Sequence, residues 1–137
     1  MLGSGFVSTM NDLDAEGLLV MMSSGAGKQP FTGWSSYCAA KAALDMWVRV
    51  VALEQAERKS KVVVASVGPG VVDTPMQAEI RSREHDAFPD VDRFQAMHAD
   101  GKLASPSDVG RMYWELCQRS DIEQGTVASI SDLVSLG

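Results

Sequence analysis

Tyr37 and Lys41 lie four residues apart in the small, apolar stretch SSYCAAKAAL, residues 35–44. On a helix, positions i and i+4 project from one face about one turn apart. An ammonium beside a phenol favours the phenolate and draws a tyrosine pKa down from about 10, toward the range useful for proton transfer. A tyrosine so placed can protonate a carbonyl oxygen during reduction or deprotonate an alcohol during oxidation. Ser24 closes the preceding apolar run GLLVMMSS, residues 17–24. Open α/β sheets place their ligands at the C-terminal ends of strands, so the Ser24 hydroxyl is a candidate partner for the same substrate oxygen. Ser23 is the poorer choice, because adjacent strand residues point to opposite faces. Taken alone, the Tyr–Lys pair also fits two polar residues on an ordinary helix, so the elements that would position it decide its meaning.

Those elements alternate between strand and helix. GLLVMMSS is a continuous apolar run left through the Gly and Pro of GAGKQP, the pattern of a strand buried on both faces. A helical pattern follows from about Ser35 to Glu57. KVVVASVGPG, residues 61–70, is a second β-branched run closed by a Gly-Pro-Gly breaker. Strand, helix, strand at this spacing predicts a βαβ unit with parallel strands. The polar segment at 75–104, with two weak helical stretches broken by Pro89 and Gly101, reads as a mobile excursion rather than core. SPSDV then opens a helix running to about Arg119: Ser105 is the N-cap, Pro106 the first helical residue and Asp108 a carboxylate near the positive helix end. GTVASISD, residues 125–132, reads as a last short strand. The helix carrying Tyr37 is apolar around nearly its whole cylinder, so besides the sheet it needs a second cover, either a neighbouring helix or a partner subunit, and a homo-oligomer formed through it is expected.

Composition narrows the function classes. With 45% hydrophobic and 22% charged residues in 137, the chain should fold as about one domain. A net charge of -6 with scattered basic residues argues against a nucleic-acid partner. No window reaches the roughly 18 apolar residues needed to span a bilayer, which leads to the expectation of a soluble, cytoplasmic protein with no membrane partner. Cys38 and Cys117 form no disulfide framework or metal-ligand spacing and are expected as buried free thiols. His85 and His98 likewise lack convergent ligands, so no metal site is expected.

The stretch SSGAGKQPFTGWSSYCAAKAALDMW, followed by VASVGPGVVDTPM, resembles the C-terminal half of a short-chain dehydrogenase/reductase over about residues 17–132. This large family comprises NAD(P)-dependent oxidoreductases on a Rossmann fold. The resemblance implies an α/β fold: the C-terminal portion of a Rossmann-like doubly wound parallel sheet, as a single partial domain over 1–137 without the N-terminal dinucleotide-binding half. The family's serine falls on Ser24 and its Tyr-x-x-x-Lys on Tyr37 and Lys41. Its Pro-Gly turn and threonine fall on Pro69, Gly70 and Thr74. By that resemblance Tyr37 is the acid/base, Ser24 steadies the substrate oxygen, and Lys41 supports the tyrosine and binds the nicotinamide ribose. Pro69, Gly70, Val72 and Thr74 would then contact the nicotinamide end of the cofactor. VDTPMQAEIR and HADGKLASPSDV look most similar to the fungal benzil reductase and sepiapterin reductase group, implying NADP as cofactor, with NAD still open, and a small-molecule carbonyl as substrate.

The family's first glycine turn has no counterpart here. GSGFVS at 3–8 and GAGKQP at 25–30 imitate phosphate loops without their full pattern. Asn11 lies too close to the Ser24 strand to serve as the family's asparagine. A sheet that lacks its first strands should expose an apolar edge prone to association. The alternative reading is a non-catalytic truncated form that acts by dimerisation, or a fragment without independent activity.

Overall fold

A computed structural model describes residues 2–86 and 88–134. Among these residues three strands, β1 (Gly17–Met22), β2 (Val62–Gly68) and β3 (Val127–Ser129), form one sheet in the order β1-β2-β3. All pairings are parallel: Gly17 to Met22 of β1 face Val62 to Val67 of β2, and Ser66 to Gly68 of β2 face Val127 to Ser129 of β3. Parallel neighbours need a long crossover. Between β1 and β2 it is helix α2 (Ser35–Arg58), which begins and ends within a residue of the expected bounds.

The β-branched composition of β2 fits its central position. Val62, Val64, Ala65 and Val67 are fully buried, and each valine contributes about 1.5–3 kcal/mol relative to exposure. Val62 and Val64 pack with Val48, Val51 and Ala52 of α2 and with Val7 of helix α1 (Leu2–Asp12). On the opposite face, Ala65 and Val67 pack with Met112 and Leu116 of helix α5 (Pro106–Cys117) and with Ile130 and Val134. The sheet is therefore covered on both sides, as its α/β pattern predicts.

Several expectations need correction. β1 is not buried on both faces: among the described residues it pairs with β2 alone, residues 17–21 are half-buried and Met22 is 54% exposed. The excursion at 75–104 builds a small core of its own. Helices α3 (Pro75–Arg81) and α4 (Val91–Ala99) flank a cluster in which Phe88, Val91 and Phe94 are buried against Phe31, Trp34, Val71 and Ile80. The last strand is shorter than expected, because Ser129 and Asp132 form a capping box that turns the chain into helix α6 (Ile130–Leu133). Helix α5 starts at the expected Ser105–Pro106 cap and ends at Cys117 rather than near Arg119. Neither cysteine is buried: Cys38 is half-buried and Cys117 exposed.

Helix α2 buries one face only. Asp45, Val48, Ala52 and Gln55 point inward, whereas Met46, Val50 and Leu53, at helical spacing on the other side, are exposed. Its end is set by Lys59, whose left-handed conformation (φ 53°) lets its N–H return to the Gln55 and Ala56 carbonyls. Among the described residues, no helix is long and apolar enough to cross a membrane.

Candidate active site

Where β1 ends, extended backbone sends Ser23 and Ser24 in different directions. Ser23 is buried, and its Oγ donates to Asp45 Oδ1 at 2.6 Å. Ser24 (φ -155°, ψ 154°) caps the short 3-10 turn Gly25–Gly27, its Oγ accepting from the Ala26 N–H at 3.2 Å. The second serine is thus the one held at the mouth of the strand.

Helix α2 begins directly opposite. Tyr37 lies in its first turn, 37% exposed, with its ring meeting the edge of Trp34 at 5.6 Å and 82°. One turn on, the Lys41 Nζ stands 5.8 Å from the Tyr37 ring centroid and donates to the Met22 carbonyl at 2.9 Å. The ammonium is therefore tethered to the end of β1 beside the phenol, which is a more constrained place than a solvated helix lysine would occupy.

At the end of β2, Pro69 and Gly70 stop the strand. Gly70 has φ +78°, a conformation that side chains with a Cβ rarely adopt, and a Cβ there would meet no atom within 4 Å. Val72 makes a bridge to Ala104. Thr74 caps α3 ahead of Pro75, its Oγ1 accepting from the Gln77 N–H at a long 3.4 Å.

Ser24, Tyr37, Lys41, Pro69, Gly70, Val72 and Thr74 all line one open cleft of about 1070 Å³ at the C-terminal ends of β1 and β2. Its far wall is aromatic: Trp34 stacks on Phe88 (4.8 Å, 2°) and packs with Phe31 and Phe94. This wall was not foreseen as a unit, because its members come from segments some 55 residues apart, although Phe31 and Trp34 do read as core or pocket wall. Met22 and Met76 also face the cleft.

A second tyrosine reaches the cleft. Tyr113 of α5 donates its hydroxyl to the Val67 carbonyl at 2.7 Å, and burial pushes its pKa up to about 12. It stays protonated at neutral pH, its hydroxyl committed to the backbone. Sequence reading missed Tyr113, and it also missed Asp45 and Ser66, whose side chains meet below the cleft.

Other singled-out residues lie elsewhere. Asn11 donates to Gln55 Oε1 at 2.7 Å and accepts from Ser60 Oγ at 2.6 Å, beside a separate hollow of about 230 Å³. GSGFVS lies within α1, and His85 is an exposed neighbour of Asp92 at 3.8 Å. Among the described residues, no group of three or more His, Cys, Asp or Glu could hold a metal ion.

Residues 4–85 match the short chain dehydrogenase family. The chain is 37% identical over 132 residues to a benzil reductase ((S)-benzoin forming) of Bacillus cereus, covering 96% of this chain and 53% of the relative. It is 34% identical over 116 residues to the sepiapterin reductase of Rattus norvegicus, covering 84% and 42%. In structure it is similar to a variant actinorhodin polyketide ketoreductase solved with NADPH, with TM-score 0.70, 25% identity, and coverage of 88% of this chain and 47% of that one. The chain spans about half the length of the relatives it matches. Its three parallel strands and their crossovers correspond to part of a Rossmann-type sheet, and the chain belongs to the short-chain dehydrogenase family.

Proposed function

We propose that this chain carries the substrate-side site of an NAD(P)-dependent carbonyl reductase and works with the cofactor on its own. The observation that carries the proposal is the convergence of Ser24, Tyr37 and Lys41 on one cleft, with the Lys41 ammonium fixed to the end of β1 beside the Tyr37 phenol. In the reaction direction of reduction, Tyr37 gives its proton to the carbonyl oxygen while the Ser24 hydroxyl hydrogen-bonds the same oxygen and holds it in place. Lys41 spends one of its three donors on Met22 and keeps the others for Tyr37 and for a sugar hydroxyl.

The nicotinamide end of a dinucleotide suits this surface, since the Gly70 turn leaves backbone open to close approach and Thr74 offers a hydroxyl beside it. Pro69, Gly70, Val72 and Thr74 would hold it. When bound, the nicotinamide supplies the hydride. The choice of NADP over NAD rests on the resemblance of the sequence to the benzil and sepiapterin reductase group; similar structures were solved with NADPH or NADP and others with NAD. The aromatic wall of Phe31, Trp34, Phe88 and Phe94 favours a carbonyl carrying an aryl group, in keeping with the benzil reductase relative.

Titrating the folded chain with NADPH tests this, because a ligand that binds the native state raises the unfolding temperature. A saturable rise is expected. With an aryl diketone present, Tyr37→Phe should then lower turnover by about 10²–10⁴ without loss of the NADPH response. A folded chain with no response to NADPH refutes the proposal.

A second reading, self-association through α2, is favoured by the exposed stripe of Met46, Val50 and Leu53, the last 67% exposed. Leu53→Glu should shift the chain to monomer in sedimentation and leave its unfolding temperature near that of the parent.

A further inference from the structure

Beneath the cleft lies a buried polar knot. Asp45 is 5% exposed and sits one turn past Lys41 and two past Tyr37 on the same face of α2. Its Oδ1 accepts hydrogen bonds from Ser23 Oγ and Ser66 Oγ, both at 2.6 Å. Its Oδ2 is buried with no hydrogen-bond partner among the described residues. Ser23 in turn donates its N–H to the Val67 carbonyl at 2.9 Å, an acceptor shared with the Tyr113 hydroxyl. Four elements, α2, β1, β2 and α5, are therefore joined at the level where the chain leaves β1 for Ser24.

A carboxylate buried with one oxygen unsatisfied is a poor way to gain stability, since an apolar side chain of similar volume would avoid the desolvation cost. What short, charge-assisted bonds do supply is direction. Here that direction is specific. Lys41 grips the Met22 carbonyl and Asp45 grips the Ser23 hydroxyl, so the helix that carries Tyr37 holds the two residues immediately before Ser24.

We infer that Asp45 is a positioning residue, which sets the placement of Ser24 relative to Tyr37 and Lys41 by clamping Ser23 and Ser66, without itself lining the cleft. The kinetic consequence rests on the reductase reading above, and the structural consequence does not.

Two amides report on Ser24 directly: the Ala26 N–H donates to its Oγ at 3.2 Å and the Gly27 N–H to its carbonyl at 3.0 Å. Amide hydrogen exchange of the full chain is to be compared for Asp45→Ala, Asp45→Asn and Ser23→Ala, with Leu116, buried on α5 across the sheet, as internal reference. In Asp45→Ala, Ala26 and Gly27 should exchange at least about tenfold faster while Leu116 changes by less than about threefold. In reduction of benzil with NADPH, kcat should fall by about 10- to 100-fold with KM within about twofold. Asp45→Asn, which keeps one acceptor oxygen, should recover part of both losses.

Faster exchange in equal measure at Ala26, Gly27 and Leu116 would reduce Asp45 to a general stabiliser and overturn the inference. So would an unchanged kcat in a folded Asp45→Ala. If Asp45→Ala does not fold, Ser23→Ala removes one of the two bonds and decides by the same comparison. Wild-type chain that turns over no benzil but shows the local exchange pattern would refute the reductase reading and leave the positioning role standing.

Discussion

Gly27 packs against the middle of the site helix with no room for a side chain. A Cβ at this position would lie 2.9 Å from Asp45 Oδ2, 3.0 Å from the Lys41 carbonyl carbon and 3.1 Å from the Lys41 oxygen. Two of these three atoms are helix backbone and cannot rotate away, so the 3-10 turn or α2 itself must shift by a few tenths of an ångström. Overpacking of this kind costs about 1–3 kcal/mol. Gly25, two residues earlier in the same turn, provides the control, because a Cβ there meets nothing within 4 Å. Gly25→Ala should change stability by no more than about 0.5 kcal/mol. In a domain of this length each kcal/mol moves the midpoint by roughly 3–5 °C, so Gly27→Ala should melt about 3–15 °C below Gly25→Ala. Urea unfolding followed by circular dichroism gives the same comparison isothermally, with the midpoint falling and the slope unchanged. Equal midpoints for the two variants would refute the claim that Gly27 is required by close approach to α2.

Two further variants address groups beside the cleft and at the start of α5. Tyr113→Phe keeps the ring and removes the hydroxyl bond to Val67, which should cost about 1 kcal/mol at neutral pH. Because the folded Tyr113 pKa lies at about 12, above its ordinary 10.0, its contribution is complete below pH 10 and is lost as pH rises through that interval. The phenylalanine variant should accordingly lose less stability than the parent in a chemical-denaturation series across this alkaline range. Ser105→Ala removes the N-cap of α5, whose Oγ accepts from the Asp108 N–H at 3.1 Å, and should cost about 0.5–2 kcal/mol in urea unfolding. The hydrogen bond from Ser105, followed by that from Arg111, also holds the Asp108 carboxyl below its ordinary 3.8. That part of the stability is present at neutral pH and is lost as pH falls through the carboxylate range, so the variant's acid limb should be shallower.

Strongly local signals carried most of the fold and the candidate cleft. The continuous β-branched run of β2, the long helical period of α2 and the Ser105–Pro106 start of α5 are each written within a few consecutive residues, and the structure places them close to their expected bounds. Spacing along one strand and one helix likewise sufficed to bring Ser24, Tyr37 and Lys41 to a common cleft. What escaped depends on neighbours distant in sequence. The half-exposure of β1, which among the described residues pairs with β2 alone, is recorded by no pattern within GLLVMM. Phe88, Val91 and Phe94 look isolated among polar residues until Phe31 and Trp34 are brought against them. Asp45 reads as one polar residue on an apolar helix, and only the fold supplies Ser23 and Ser66 as its donors. In helix α1, Leu2 is followed by Gly3, Ser4 and Gly5, weak helix formers, and the segment carries no periodic signal strong enough to mark it.

The parallel arrangement of the strands has a consequence for how the chain reaches this structure. Gly17 must find Val62, and Ser66 must find Val127, so no strand can pair with a neighbour before a long intervening segment has been made and organised. Sheets assembled from such distant pairings fold slowly, since the entropy of closing each loop is lost before the contacts repay it. During synthesis β1 emerges well before β2, and β2 in turn waits for the residues that follow α5. Formation of α2, whose Lys41 and Asp45 grip the end of β1, is the local event that can shorten that wait. The same two contacts that set the geometry beneath the cleft would then act as a folding clasp, closing β1 against its helix while the rest of the sheet is still being translated.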